Sequence, residues 1–237
     1  DLVRSRGLGD VYKRQILLYM NYDSVPLRDF KELNDWETVI FVYQSALKQV
    51  ETKIDILNGE FQHRHKYNPI EHVKSRIKTP ESIVKKLKRH GYESSIENMV
   101  RYVNDIAGIR ISCSFTSDIY LIADMISKQN DLTILARRDY MKNPKKSGYR
   151  SYHMLVTTPV FLSDSIIDTK VEIQIRTVAQ DFWATLEHKM HYKFEGDGPD
   201  YITKELRECA RYVAELDTRM EELNNEIQKY GKLSDKK

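Results

Sequence analysis

No apolar run in the chain approaches the roughly 20 residues that a membrane span requires, which excludes a transmembrane role. Cysteine is almost absent. Cys113 and Cys209 show neither CxxC nor any other metal spacing, so a zinc site is not expected and both read as reduced thiols in or near the core of a cytosolic protein. No GxxxxGK[ST] occurs, which removes the Walker-type phosphate loop. The net charge of +3 is too small to imply nucleic-acid binding by itself. What remains is 237 residues, 41% hydrophobic and 31% charged, a composition suited to one sizeable globular core with helical appendages.

The stretch from Lys170 to Tyr192, KVEIQIRTVAQDFWATLEHKMHY, organises the rest. Val171, Ile173 and Ile175 alternate with Glu172, Gln174 and Arg176, so one strand face suits a core and the other sets a carboxylate, an amide and a guanidinium about 7 Å apart in a row. Such a face can also be the solvated side of an antiparallel sheet. After Thr177 the period becomes helical, with Phe182, Trp183, Leu186 and Met190 apolar and Glu187, His188, Lys189 and Lys193 among them. Phe182 and Trp183 are expected in the core. His188 and Lys193 suit either a phosphate contact or plain surface. Upstream, Asp105 to Cys113 (DIAGIRISC) reads as a second strand that opens with a carboxylate and puts Arg110 and Ser112 on one face. Two strands with one acid each can present a carboxylate pair to one metal ion.

Other segments follow in order. Residues 1–15 fit no amphipathic period and Ile16–Leu18 is too short for a signal-peptide core, so residues 1–19 read as a non-native or disordered leader with Met20 a natural start. From Asp35, a fair N-cap, Trp36, Ile40, Tyr43, Leu47, Val50, Ile54 and Leu57 draw one stripe along a helix over about 35–60. Leu206, Cys209, Val213, Leu216, Met220, Leu223, Ile227 and Tyr230 form a heptad-grade seam within about 200–230. Each helix can pack on its own domain or form a homo-oligomer interface. Between them, Thr79-Pro80 opens a short basic helix that Gly91 closes. Its cations, with Lys74, Arg76 and Lys78 before it, suit either a solvated face or a polyphosphate with its metal. Residues 116–130 read as a helix and 132–135 as a strand. Residues 137–153, RRDYMKNPKKSGYRSYH, read as a flexible basic loop with Tyr149 at its tip, able to stack on a base. A strand resumes near Met154, and a turn over Leu162–Asp168 leads into the central strand.

The order RIKTPESIVKKLKR, DIAGIRI, SGYRSYH, VEIQIRT and FWATLEHKMHYK resembles the synthetase domain of RelA/SpoT-type alarmone synthetases, and the length matches small stand-alone members of the RelP and RelQ type. The resemblance covers roughly residues 35 to 230. It implies an α+β, nucleotidyltransferase-like mixed sheet flanked by helices. It also implies a single synthetase domain over 20–237, making (p)ppGpp and AMP from ATP and GDP or GTP, synthesis only, cytoplasmic and without a membrane partner. Carried over by motif, Asp105 and Glu172 are the catalytic and Mg²⁺-binding acids, with Glu172 the base for the 3′-hydroxyl. Arg76, Lys78, Lys86, Arg89, Arg110 and Arg138 fall on the ATP side. Lys142, Lys146, Tyr149, His153, Gln174 and Arg176 fall on the GDP or GTP side. A homotetramer built with the terminal helices is expected, and RNA is a possible further partner. Two other readings stay open: another Mg-dependent nucleotidyltransferase, or a non-catalytic RNA-binding module.

Overall fold

The computed structural model describes residues 35–65, 67–193 and 200–234. The leader expected before residue 20 lies outside these, as do the side chains of Lys193 and Tyr230. Six helices and five strands follow one another along the described chain: α1 (Trp36–His65), β1 (Ile70–Ile77), α2 (Pro80–Arg89), α3 (Ile96–Tyr102), β2 (Ala107–Cys113), α4 (Thr116–Ser127), β3 (Thr133–Asp139), β4 (Tyr152–Phe161), β5 (Ile166–Thr177), α5 (Val178–Lys193) and α6 (Asp200–Ser234).

The strands form one mixed sheet in the order β1-β2-β5-β4-β3. β2 and β5 run parallel, and the other neighbours are antiparallel. Parallel neighbours need a long crossover, and here α4, β3 and β4 all lie between them in sequence. β5 therefore sits in the middle of the sheet although it is the last strand. Val171, Ile173 and Ile175 are fully buried in one continuous core with Val39, Tyr43, Val50 and Ile54 of α1 and Ile119, Ile122 and Ile126 of α4. The alternating pattern of β5 thus has the cause expected of it: its odd-numbered side chains face two helices.

Thr38 donates its backbone N–H to Asp35 Oδ1 at 2.7 Å, which caps α1. That helix lays its apolar stripe on the sheet, and Phe41 and Ile56 alone among its large apolar side chains stay exposed. α6 differs. Among its described apolar side chains Ala210 alone is buried, with Val213 half-buried against it, while Leu216, Met220, Leu223 and Ile227 are 47–67% exposed. Cys113 is buried as expected, but Cys209 is exposed. The seam of α6 turns away from the domain, and Cys209 turns with it. Phe182 is likewise exposed at 64% whereas Trp183 is buried: one residue is a 100° step around α5, and only the Trp183 side meets α6, where its indole N–H donates to Leu206 O at 2.9 Å.

Candidate active site

The site begins at the corner where β1 passes into α2. Ile106 O accepts from Lys78 N at 2.8 Å, pinning that corner to the turn before β2. Asp105 belongs to this turn and not to the strand itself. Thr79 Oγ1 accepts from Ser82 N at 3.3 Å to cap α2, with Pro80 at its first position. The helix then delivers Lys86 to the same carboxylate. Lys78 Nζ contacts Asp105 Oδ2 at 2.8 Å and Lys86 Nζ contacts Asp105 Oδ1 at 2.7 Å. Burial works to raise the Asp105 pKa, but the two ammonium groups outweigh it and bring it down to about 2. Arg76 and Arg89 are exposed at the rim of this corner.

Glu172 stands on β5 opposite Gly108 of β2, three residues beyond Asp105. Gln174 Nε2 donates to Glu172 Oε2 at 2.8 Å, and His153 Nδ1 lies 3.5 Å from Oε1. Burial opposes ionisation of Glu172, as does the charge of Asp105, yet the His153 and Gln174 contacts prevail and hold its pKa below the ordinary value. Both acids are therefore anionic at neutral pH, and each feels the other. Hard oxygen donors of this kind suit Mg²⁺, which usually takes one or two carboxylates and completes its shell with water and phosphate.

The basic loop is more constrained than its composition suggests, and shorter. Arg137 and Arg138 lie on β3, and the loop proper runs from 140 to 151. Asp139 Oδ1 accepts from the backbone N–H groups of Met141 and Lys142, both at 3.0 Å, an Asx-type start to the turn. Arg150 donates to Met141 O at 2.7 Å, tying the two limbs together. Tyr149 is not at the tip. Gly148, at φ +91°, reverses the chain against α6, so Tyr149 folds inward beside Trp183 and Ala210. Its hydroxyl shares a 2.9 Å hydrogen bond with His153 Nε2. The Arg176 guanidinium carbon is 5.9 Å from its ring centroid and Lys145 Nζ is 4.7 Å away. A continuous chain of contacts thus links Tyr149, His153, Glu172 and Gln174.

Arg176 shares the strand face of Glu172 and Gln174 but is only 2% exposed. Asp181, in the first turn of α5, meets Arg176 at 2.7 Å and Arg110 at 3.5 Å with one oxygen. Arg110 Nε and Arg176 Nε have no acceptor among the described residues. Lys142 is exposed, its Nζ 4.0 Å from Asp139 and 5.4 Å from the Tyr120 ring. Lys146 is exposed on the loop and His188 on α5, while Arg138 is half-buried. The structure adds three groups that sequence reasoning did not single out: Lys145, Asp181 and Lys170. Lys145 stands among the quoted loop cations; the other two declare themselves only through contacts across the fold. Among the described residues no group of three or more His, Cys, Asp or Glu is placed to hold a metal, so any ion here must draw much of its shell from its ligands.

A mixed sheet bearing two anionic carboxylates inside a rim of cations defines an α+β enzyme class that handles polyphosphate substrates. Within that class the chain belongs to the RelA/SpoT family: residues 75–197 match the family profile described as "Region found in RelA / SpoT proteins". It is 45% identical over 195 residues to the GTP pyrophosphokinase YwaC of Bacillus subtilis, covering 82% of this chain and 93% of that protein. Its fold is similar to the crystal structure of small alarmone synthetase 2 from the same organism, with a TM-score of 0.74 at 44% identity over 81% of this chain and 99% of that one. Small alarmone synthetase 1 of B. subtilis, solved bound to its product pppGpp, is similar with a TM-score of 0.76 at 34% identity, over 81% and 98% of the two chains.

Proposed function

We propose that this protein is a GTP pyrophosphokinase that makes (p)ppGpp, moving the β,γ-diphosphate of ATP to the 3′-hydroxyl of GDP or GTP. The observation that carries the reading is the placement of two anionic carboxylates, Asp105 and Glu172, beside the parallel β2–β5 pair, one held by Lys78 and Lys86 and the other by His153 and Gln174. Transfer of this kind is chiefly positioning and neutralisation of developing charge. The 3′-oxygen of the acceptor attacks the β-phosphorus of ATP, the bond from that phosphorus to the α,β-bridging oxygen breaks, and AMP leaves with the oxygen. The hydroxyl proton passes to Glu172, which is ionised and so has the free oxygen lone pair that accepts it. Asp105 and Glu172 would hold Mg²⁺, which when bound would neutralise charge on the transferred diphosphate.

The donor binds against Arg76, Lys78, Lys86, Arg89, Arg110 and Arg138. The acceptor binds along the loop, with guanine on the Tyr149 ring, Lys142 and Lys146 at its phosphates, and His153, Gln174 and Arg176 around the ribose. The exposed seam of Leu216, Met220, Leu223 and Ile227 supports a homotetramer assembled through α6. Among the described residues no helix is long and apolar enough to cross a membrane. RNA contact would use the same cations and would weaken steeply with salt.

The deciding experiment incubates the purified chain with ATP, Mg²⁺ and GDP or GTP and resolves all nucleotides by anion exchange, beside a Glu172→Gln control. AMP together with a guanosine tetra- or pentaphosphate, both missing in the control, is the expected result. Pyrophosphate in place of AMP would point to a nucleotidyltransferase of another type, and intact ATP would sink the synthetase reading.

A further inference from the structure

Lys170 is 7% exposed, in a position where a lysine is expensive to keep. It lies on β5 two residues before Glu172, and the regular pairing of that strand puts both side chains on one face. Its ammonium group has three partners. It donates to Val100 O at 3.0 Å and Arg101 O at 3.1 Å, carbonyls in the last turn of α3, and to Asn104 Oδ1 at 3.0 Å. Three N–H groups meet three acceptors, and the helix C-terminus favours the positive charge. Asn104 is the residue immediately before Asp105. One side chain thus spans from the strand of Glu172 to the turn of Asp105.

No substrate group is needed to explain these contacts, and an apolar residue of similar volume would leave the three oxygens without this donor. The functional carboxylates come from segments 67 positions apart, and neither is long enough to correct an error in the other's backbone. We infer that Lys170 is a positioning residue that fixes the spacing of Asp105 relative to Glu172 by anchoring the Asn104–Asp105 turn to β5. This rests on the reading of Asp105 and Glu172 as the metal-binding pair. Lys170 acts through Asn104 and touches neither nucleotide.

The test compares the full chain with Lys170→Met and, because a methionine facing three carbonyl-type oxygens can fail to fold, with Asn104→Ala, which removes one anchor at a half-buried turn. Mn²⁺ binding in the presence of a non-hydrolysable ATP analogue is followed by electron paramagnetic resonance, and analogue binding in EDTA is measured separately. Both variants are expected to bind Mn²⁺ about tenfold more weakly, to bind the metal-free analogue as the parent does, and to lose kcat with little change in acceptor KM; misplacement of about 1 Å can cost on the order of 100-fold. Unaltered Mn²⁺ affinity and kcat in folded variants would overturn the inference, as would an equal loss of metal-free analogue binding, which marks general damage. If Lys170→Met does not fold, Asn104→Ala decides alone. A parent chain that binds Mn²⁺ with the analogue but makes no product would fault the proposed reaction and leave the positioning inference to the binding data.

Discussion

A β-carbon placed on Gly148 would lie 2.5 Å from the β-carbon of Ala210. The loop that carries Tyr149 therefore touches α6 backbone to side chain, with no room between them, and does so at φ +91°, a conformation costly to any residue with a side chain.

Gly148→Ala is expected to push the loop off α6 and to raise the KM for GDP or GTP by roughly tenfold, with a smaller effect on ATP, while unfolding stability falls by about 1–3 kcal/mol. Adding Ala210→Gly removes the collision but leaves the dihedral strain and adds about 1 kcal/mol for glycine inside a helix, so the double variant should recover the KM for GDP or GTP in part and the stability little. Steady-state kinetics with each substrate varied in turn, and thermal melts, check this.

Tyr149→Ala should weaken acceptor binding by about 1–3 kcal/mol, the usual worth of a base-stacking aromatic, with ATP binding nearly unchanged. Tyr149→Phe keeps the ring and loses the hydrogen bond to His153. It should preserve acceptor affinity but alter kcat, because His153 also contacts Glu172. Equal behaviour of the two variants in a binding titration would remove the stacking role.

Glu172→Gln should lower kcat by roughly 100-fold or more, the scale of a lost general base, without unfolding the protein, since glutamine keeps the shape and an acceptor for Gln174. Circular dichroism and single-turnover assays together test both halves of the statement.

Asp217 supplies a pH signature. It is buried on α6 and accepts from Thr177 Oγ1 at 2.8 Å and Gln180 Nε2 at 2.7 Å, and burial raises its pKa above the ordinary 3.8. A carboxyl whose folded pKa exceeds its unfolded one binds its proton more tightly when folded. Its ionisation therefore costs stability at neutral pH, and that cost is relieved as pH falls through the raised pKa toward 3.8. The melting temperature of the parent relative to Asp217→Asn should accordingly rise between pH 7 and pH 4; parallel curves would contradict it.

Leu216→Glu with Met220→Glu should yield a monomer by light scattering with an unchanged circular dichroism spectrum, because both side chains are exposed in the single chain. The parent, measured alongside, is expected to be the proposed tetramer, and a variant of the same mass as the parent would count against assembly through α6.

How far these features could be read in advance depended on the range of the interaction behind them. The alternation of Val171, Ile173 and Ile175 was legible because it records only which face is buried, and Asp35 and Thr79 were legible as caps because their partners lie three residues away. Asp105 reads as the opening of a strand because it directly precedes the run Ile106-Ala107-Gly108-Ile109, and nothing local marks the turn. Phe182 and Cys209 were expected inside because helical spacing alone does not say how wide the covered stripe is. Tyr149 was placed at a loop tip because its inward turn depends on Ala210, 61 positions later. Asp181 and Lys170 were invisible as site residues for the same reason: an acid in a helix and a lysine in a strand are unremarkable until the fold brings Arg110 to the one and Asn104 to the other.

The place of β5 has a consequence for how the sheet and the site depend on each other. Taken away from the sheet, β5 leaves two separate antiparallel pairs, β1 with β2 and β3 with β4, each with an open edge on the side where β5 lies. Asp105 belongs to the first pair and His153 to the second, and Glu172 arrives with the strand that joins them. A fragment ending before residue 166 contains Asp105 with Lys78 and Lys86, and His153, but lacks Glu172 and Gln174. The strand that completes the sheet also brings Glu172 to the site, and without it the edges of β2 and β4 would be unpaired and open to another extended chain.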